Sequence, residues 1–135
     1  MALLLVVSMS ARAAGDLKVE DAWIRWLPAN LPGAGYMTLT NTGMTERVLL
    51  GASSPDYGDV SFHRTVNKNG MSDMTAVDSI AVKPQASVRF AAGGYHLMLM
   101  RPKRSLQPGD QVMVTLLFSG GQTVTAGFDV RAGNE

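Results

Sequence analysis

Apolar and polar side chains alternate along most of this chain, and turn residues interrupt the alternation at intervals of roughly ten residues. A period of two is the signature of an extended strand with one buried face. No segment shows a 3.6-residue apolar stripe flanked by helix caps. The pattern therefore predicts an all-β fold, an antiparallel β-sandwich of eight or nine short strands. The predicted strands lie at residues 19–26, 36–40, 47–50, 60–66, 74–82, 87–90, 95–100, 112–118 and 124–130.

The N-terminus differs from the rest of the chain. An apolar run is followed by small residues, with Ala11 and Ala13 flanking Arg12, as at the end of a secretory signal segment. No basic residue precedes the run, so we interpret residues 1–13 as a truncated or atypical signal; a buried N-terminal strand is the alternative. The run is too short to cross a bilayer, and we expect no stable membrane insertion. Residues 14–135 then form one exported domain.

Composition excludes several classes of function. The 135 residues carry a formal net charge of +1, which provides no basic field for nucleic acid. Neither histidine lies in a recognisable catalytic triad motif, and the acidic residues are scattered through turns. Acyl and glycosyl transfer need a nucleophile with its base or a pair of carboxylates, so we expect that the protein is not an enzyme.

Both histidines of the chain are paired with a methionine. Ten residues separate His63 from Met74, and one residue separates His96 from Met98. In a strand, residues two apart share a face, with Cα atoms about 6.6 Å apart. His63 and Met74 flank an Asn-Gly turn, so a hairpin would bring them together. Two imidazoles and two thioethers would complete a tetrahedral shell for a d¹⁰ ion, and the soft thioether favours Cu(I) over zinc, magnesium or calcium.

The chain contains no cysteine, and this absence bears on which functions other than Cu(I) binding are possible. A blue-copper electron carrier needs a cysteine thiolate, which disfavours a cupredoxin-like redox role. A module that binds a non-metal ligand or a protein is the other alternative, with Trp23, Trp26 and Tyr36 as a stacking face, although these aromatics are also typical of a core. We interpret Met37, Met44 and Met113 as core residues. A redox carrier and a non-metal binding module therefore remain as the alternatives to a Cu(I)-binding site.

The complete spacing resembles that of the periplasmic copper chaperone PCu(A)C family: His, ten residues, Met, twenty-one residues, His, one residue, Met. The resemblance covers nearly the whole stretch between residues 17 and 130. The matching segments are Trp23-Ile24-Arg25, Gly35-Tyr36-Met37-Thr38-Leu39 with Asn41, Gly93-Gly94-Tyr95-His96-Leu97-Met98-Leu99-Met100, and Leu106-Gln107-Pro108-Gly109-Asp110-Gln111-Val112.

The resemblance implies a cupredoxin-like β-sandwich with Greek-key connections that binds one Cu(I) ion as cargo. Carried over by position, the ligands are His63, Met74, His96 and Met98. Family members pass copper, with a thioredoxin-fold copper-transfer protein, toward the copper-bearing subunit of cytochrome c oxidase. Because the metal must be handed on, we expect the site near the surface at the loop end of the sandwich.

Two positions depart from the family pattern. Arg64 follows the first histidine where an acidic residue or methionine is common in the family. A guanidinium there is unfavourable unless Asp73 or another carboxylate neutralises it, or it points away along the strand. Ser72 stands where the family often has a methionine. Met71 and Met100 are candidate auxiliary donors, with core packing as the alternative reading.

Overall fold

Strands account for most of the chain. The computed structural model describes residues 15–28 and 31–133, and the predicted signal segment at residues 1–13 lies outside them. No helix among the described residues is long and apolar enough to cross a membrane. The elements are β1 (Leu17–Trp26), β2 (Gly33–Asn41), β3 (Arg47–Ser54), β4 (Tyr57–Lys68), β5 (Met71–Val77), β6 (Ile80–Val82), β7 (Ala86–Phe90), β8 (Tyr95–Pro102), β9 (Gln111–Phe118), a 3₁₀ turn (Ser119–Gly121) and β10 (Thr123–Ala132).

The sheet has ten strands among the described residues, where the sequence predicted eight or nine. The segment predicted as one strand at residues 74–82 divides into β5 and β6. β5 forms a hairpin with β4, and Asn69 and Gly70 between them have φ of +50° and +77°, as the tight turn of a two-residue hairpin requires. β6 pairs instead with β3, at the other end of the strand order. Because the two halves pair with different partners, the chain must leave the ladder between Val77 and Ile80.

The all-β prediction is confirmed, in a barrel-like form. The strands follow the order β5-β4-β8-β7-β2-β1-β10-β9-β3-β6, and further pairings of β4 with β3 and of β8 with β2 close the sheet on itself. The described strands therefore form one continuous sheet that is closed on itself. Two pairs, β1 with β10 and β7 with β8, are parallel, because strand direction is set by chain connections and not by side-chain alternation.

The core determines which side chains of β8 face outward. Leu97 and Leu99 are fully buried inside the barrel, and burial of each apolar side chain of this size contributes about 1.5–3 kcal/mol. Alternation along the strand then places His96, Met98 and Met100 on the outer face. The prediction that these three share a face opposite the leucines is confirmed.

Burial of alternate apolar side chains in the core also determines which residues of β4 face outward. Val60 and Phe62 are buried in the core, which leaves Ser61 and His63 on the outer face. β4 pairs with β5 along one edge and with β8 along the other. The three strands therefore present one continuous outer face.

The methionines predicted as core residues behave differently from one another. Met37 is 2% exposed, as predicted, but Met44 is 86% exposed and Met113 is 43% exposed. Met44 lies in the turn between β2 and β3, and Met113 stands on the outward face of β9 between buried Val112 and Val114. The core assignment of Met44 and Met113 was wrong, because hydrophobicity alone shows neither which residues lie in a turn nor which face of a strand is buried.

Candidate metal centre

Strand register brings the four predicted ligands to one face of the sheet. His63 on β4 is directly opposite His96 on β8. Met74 on β5 is opposite Thr65, two residues from His63, and Met98 is two residues after His96. Opposed residues, and residues two apart, point to the same side of a sheet. All four side chains therefore lie on the outer face of β5, β4 and β8.

The two imidazoles are close enough to share an ion. The ring centroids of His63 and His96 are 5.7 Å apart, with an angle of 21° between the ring planes. A metal–nitrogen bond of about 2 Å places an ion roughly 3 Å from the centroid of a bound imidazole. Two imidazoles on one ion can thus have centroids up to about 6 Å apart. The observed separation lies within that limit.

Three of the four side chains line one surface cleft. Met74, His96 and Met98 contribute to its wall, together with Ala92 and Gly93 from the loop before β8. His63 is not part of this lining; its half-buried ring lies against His96. The structure therefore gathers three predicted ligands in a cleft and places the fourth beside it.

The ligand candidates differ strongly in exposure. His96 is 6% exposed, whereas Met74 is 63% exposed on β5, a strand at the end of the sheet order with β4 as its partner. His63 and Met98 are half-buried. An incoming ligand can reach the sulfur of Met74 while the imidazole of His96 stays in place. This gradient suits a site that holds an ion and then exchanges it.

His96 has an unpaired ring nitrogen. Its Nε2 atom is buried and has no hydrogen-bond partner among the described residues. Leaving such an atom unpaired costs about 1–3 kcal/mol, so buried nitrogens of this kind usually bind a partner. A neutral imidazole with a free lone pair is a metal ligand, and the donor set therefore fits an ion at this position.

Burial lowers the pKa of His96 from its ordinary value of 6.5, and the neighbouring His63 acts in the same direction. A backbone hydrogen bond with Gly94 opposes this shift. The lowered pKa keeps the ring neutral at neutral pH. Neutral imidazole is the form that binds a metal ion.

The donors available here are nitrogen and sulfur. Within residues 15–28 and 31–133, no three or more His, Cys, Asp or Glu side chains cluster closely enough to hold a metal ion. A centre at this face therefore depends on thioethers to complete its shell. Thioether sulfur prefers soft ions, Cu(I) above all.

Arg64 points away from the candidate ligands. It follows His63 on β4 and so lies on the opposite face, where its guanidinium carbon is 5.6 Å from the centroid of the Tyr95 ring. A guanidinium over an aromatic ring is a favourable contact. Of the two alternatives given for this residue, orientation away from the site is the one observed.

The two auxiliary methionines fall on different faces. Met71 is opposite Lys68 at the tip of the hairpin and, three residues from Met74, points to the other side of the sheet. Met100 is opposite Asp59 and continues the row of His96 and Met98. Met100 therefore shares the face of the candidate ligands, and Met71 does not.

The aromatic residues considered as a stacking face are engaged within the protein. The rings of Trp23 and Tyr36 are 4.9 Å apart, and the guanidinium carbon of Arg131 is 5.7 Å from the Trp23 ring. Trp26 donates its indole N–H to the carbonyl oxygen of Leu106 at 2.7 Å. These contacts disfavour an open platform for a sugar or peptide.

Sequence reasoning missed Ser61. Its Oγ is 3.0 Å from Nε2 of His63, a hydrogen bond between two residues on the outer face of β4. The available signal was its spacing, since a residue two positions before a strand histidine shares the face of that histidine. A hydroxyl that contacts a candidate ligand can orient it.

Comparison with known proteins gives consistent matches over the strand-forming region. Residues 17–130 match the family model described as "Putative lipoprotein LpqE-like". Over 113 residues the chain is 32% identical to "Putative lipoprotein Lxx21020" of Leifsonia xyli subsp. xyli, and the alignment covers 83% of this chain and 68% of that protein.

Solved structures with the same fold include copper-loaded domains. The copper-bound PCuAC domain from PmoF2 is 28% identical, with a TM-score of 0.73, and the match covers 92% of this chain and 99% of that one. The solution structure of Cu(I)-bound DR1885 from Deinococcus radiodurans is 30% identical, with a TM-score of 0.70, over 90% of this chain and 84% of that one. Both similarities extend over nearly the whole chain.

We expect the His96 imidazole of the metal-free protein to titrate below its ordinary pKa of 6.5, because burial disfavours the charged ring. The unfolded chain then binds this proton at a higher pH than the folded protein does. Acidification from pH 6.5 down to the lowered pKa should reduce the free energy of unfolding, with no further loss below it. NMR titration of the ring protons gives the pKa, and urea unfolding at a series of pH values gives the slope. The slope should diminish in His96→Gln, and a midpoint at or above pH 6.5 would contradict the expectation.

Proposed function

Since this chain belongs to the LpqE-like family, we propose that it is an exported copper chaperone whose cargo is a single Cu(I) ion. The observation that carries the proposal is the convergence of two imidazoles and two thioethers on one outer face of β5, β4 and β8. The similarity to copper-loaded PCuAC domains supports it. This role is that of a binding and transfer protein, with no chemical conversion of a substrate.

In this proposal the ligands are His63, Met74, His96 and Met98. Thioethers carry no charge and no proton, so they favour the monovalent cuprous ion and bind it without competition from acid. The imidazoles add stronger σ-donors on the buried side of the site. Four such donors match a tetrahedral coordination shell. The d¹⁰ configuration of Cu(I) accepts this geometry without strain.

Release follows from the exposure gradient. A soft ligand of the recipient first replaces the sulfur of Met74, whose strand lies at the end of the sheet order. His96 holds the ion from the buried side during this exchange. Copper then passes between proteins without entering solution as a free ion. A fully buried site would lack an approach for the second protein.

The recipients in this proposal are a thioredoxin-fold copper-transfer protein and, through it, the copper-bearing subunit of cytochrome c oxidase. The periplasm is the compartment in which these proteins meet, and the lipoprotein name of the Leifsonia relative supports export. A domain without cysteine suits an oxidising compartment, because methionine holds a soft metal without forming disulfides. The cupredoxin-like Greek-key arrangement is part of the same proposal, supported by the closed, mainly antiparallel sheet.

Removal of any proposed donor should weaken Cu(I) binding. We expect His63→Ala, Met74→Leu, His96→Ala and Met98→Leu each to lower the Cu(I) affinity at least tenfold, because each substitution removes one metal–ligand bond. Competition with a chromophoric Cu(I) chelator under reducing conditions measures the affinity. Met113→Leu is the matched control, since Met113 is an exposed strand methionine outside the cleft. Unchanged affinity in the four variants would refute this ligand set.

Delivery by ligand exchange makes a kinetic prediction. When the Cu(I)-loaded protein meets a copper-free thioredoxin-fold copper-transfer protein, the rate of copper loss should rise with acceptor concentration. Exchange through a shared intermediate requires contact, whereas spontaneous dissociation sets a rate that no acceptor can raise. Stopped-flow measurement with a fluorescent acceptor distinguishes the two. A rate independent of acceptor concentration would contradict direct transfer.

A further inference from the structure

Ser61 is placed to control the chemical state of a proposed ligand. It precedes His63 by two residues on the outer face of β4, and its Oγ is 3.0 Å from Nε2 of that ring. In the register of β4 with β8, Ser61 is opposite Met98. The residue therefore neighbours two of the proposed donors, His63 and Met98, without being a donor itself.

The direction of this hydrogen bond determines which nitrogen of His63 is free. A neutral imidazole carries one N–H and one lone pair, and a serine hydroxyl can donate or accept. If Ser61 donated to Nε2, the lone pair of Nε2 would be occupied and Nδ1 would carry the proton. If Ser61 accepts from Nε2–H, the lone pair of Nδ1 remains free for a metal ion.

We propose that Ser61 accepts a hydrogen bond from Nε2–H of His63 and thereby presents Nδ1 of that ring to Cu(I). The inference rests on the proposed function, because it assigns the nitrogen that binds the same cargo. Ser61 is a positioning residue: it acts through His63 and does not touch the ion. An acceptor on the second ring nitrogen fixes the tautomer and ring orientation and raises the basicity of the metal-binding nitrogen.

His96 presents the other nitrogen. Its buried Nε2 has no hydrogen-bond partner among the described residues, so this lone pair is the one available to an ion. The two imidazoles stand directly opposite each other on β4 and β8 with their centroids 5.7 Å apart. They therefore bind through different nitrogens, Nδ1 of His63 and Nε2 of His96.

The first test is the tautomer of His63 in the metal-free protein. Long-range ¹H–¹⁵N correlation spectra distinguish a protonated Nε2 from a protonated Nδ1. We expect the Nε2–H form in the wild type and a mixture of both forms in Ser61→Ala. A predominant Nδ1–H form in the wild type would overturn the proposal. This measurement on the wild type needs neither copper nor a variant.

The second test is Cu(I) affinity measured by chelator competition. Outer-shell partners of metal-binding histidines typically account for a factor of about 10 to 100 in metal affinity, so Ser61→Ala should bind Cu(I) at least tenfold more weakly. Ser61→Thr keeps the hydroxyl and should retain most of the affinity. Ser87→Ala is the control, because Ser87 is also a strand serine, hydrogen-bonded to Thr40 at 2.8 Å outside the cleft.

The outcomes separate this inference from the proposed function. If the wild type does not bind Cu(I), the proposed function fails, and the tautomer measurement still decides the role of Ser61. If the wild type binds and Ser61→Ala binds equally well or more tightly, the inference is overturned while copper binding stands. Spectra of the loaded wild type in which Nε2 of His63 is the metal-bound nitrogen would also overturn it.

Discussion

Packing of the barrel core determines where the candidate metal centre lies. Leu97 and Leu99 on β8 and Phe62 on β4 occupy the interior, and their burial leaves the alternate residues of both strands no orientation except outward. A register slip of one residue would turn the two histidines into the core and the apolar side chains into water. The apolar contacts therefore organise the face on which His63 and His96 meet, before any metal is bound.

The proposed chemistry depends on a gradient across that face. At the buried side, His96 has a lowered pKa and an unpaired Nε2 atom, so the ring is neutral and ready to bind. At the open side, Met74 lies on β5 at the end of the sheet order and is accessible to a second protein. In the proposed mechanism, affinity comes mainly from the buried side and exchange from the open side. A chaperone needs both properties, since it must retain its ion and yet give it up on contact.

The sequence predicts much of this arrangement, because the relevant rules are local. Alternation gave the strands that carry the four candidates, and the i and i+2 rule placed His96 and Met98 on one face. The division of residues 74–82 into β5 and β6 could not be predicted, because it depends on which distant strand each half pairs with. Predicting the exposure of Met113 would have required knowing which face of β9 points outward.

The electrostatic features were beyond prediction for a similar reason. The desolvation of His96 arises from the packing around it in the folded barrel, and the contact between Ser61 and His63 needs rotamers that no pattern specifies. The orientation of Arg64 toward Tyr95 was one of two alternatives until the pairing of β4 with β8 decided between them. The four candidate ligands themselves came from spacing and resemblance, and the structure adds their common face and their unequal exposure.

The X-ray absorption spectrum of the Cu(I)-loaded protein at the copper edge tests the central claim most directly. The account predicts a four-coordinate cuprous ion with two sulfur neighbours at about 2.3 Å and two nitrogen neighbours at about 2.0 Å. A shell of nitrogen and oxygen atoms without sulfur would show that Met74 and Met98 do not bind the ion. That result would contradict the assignment of this outer face as a copper centre.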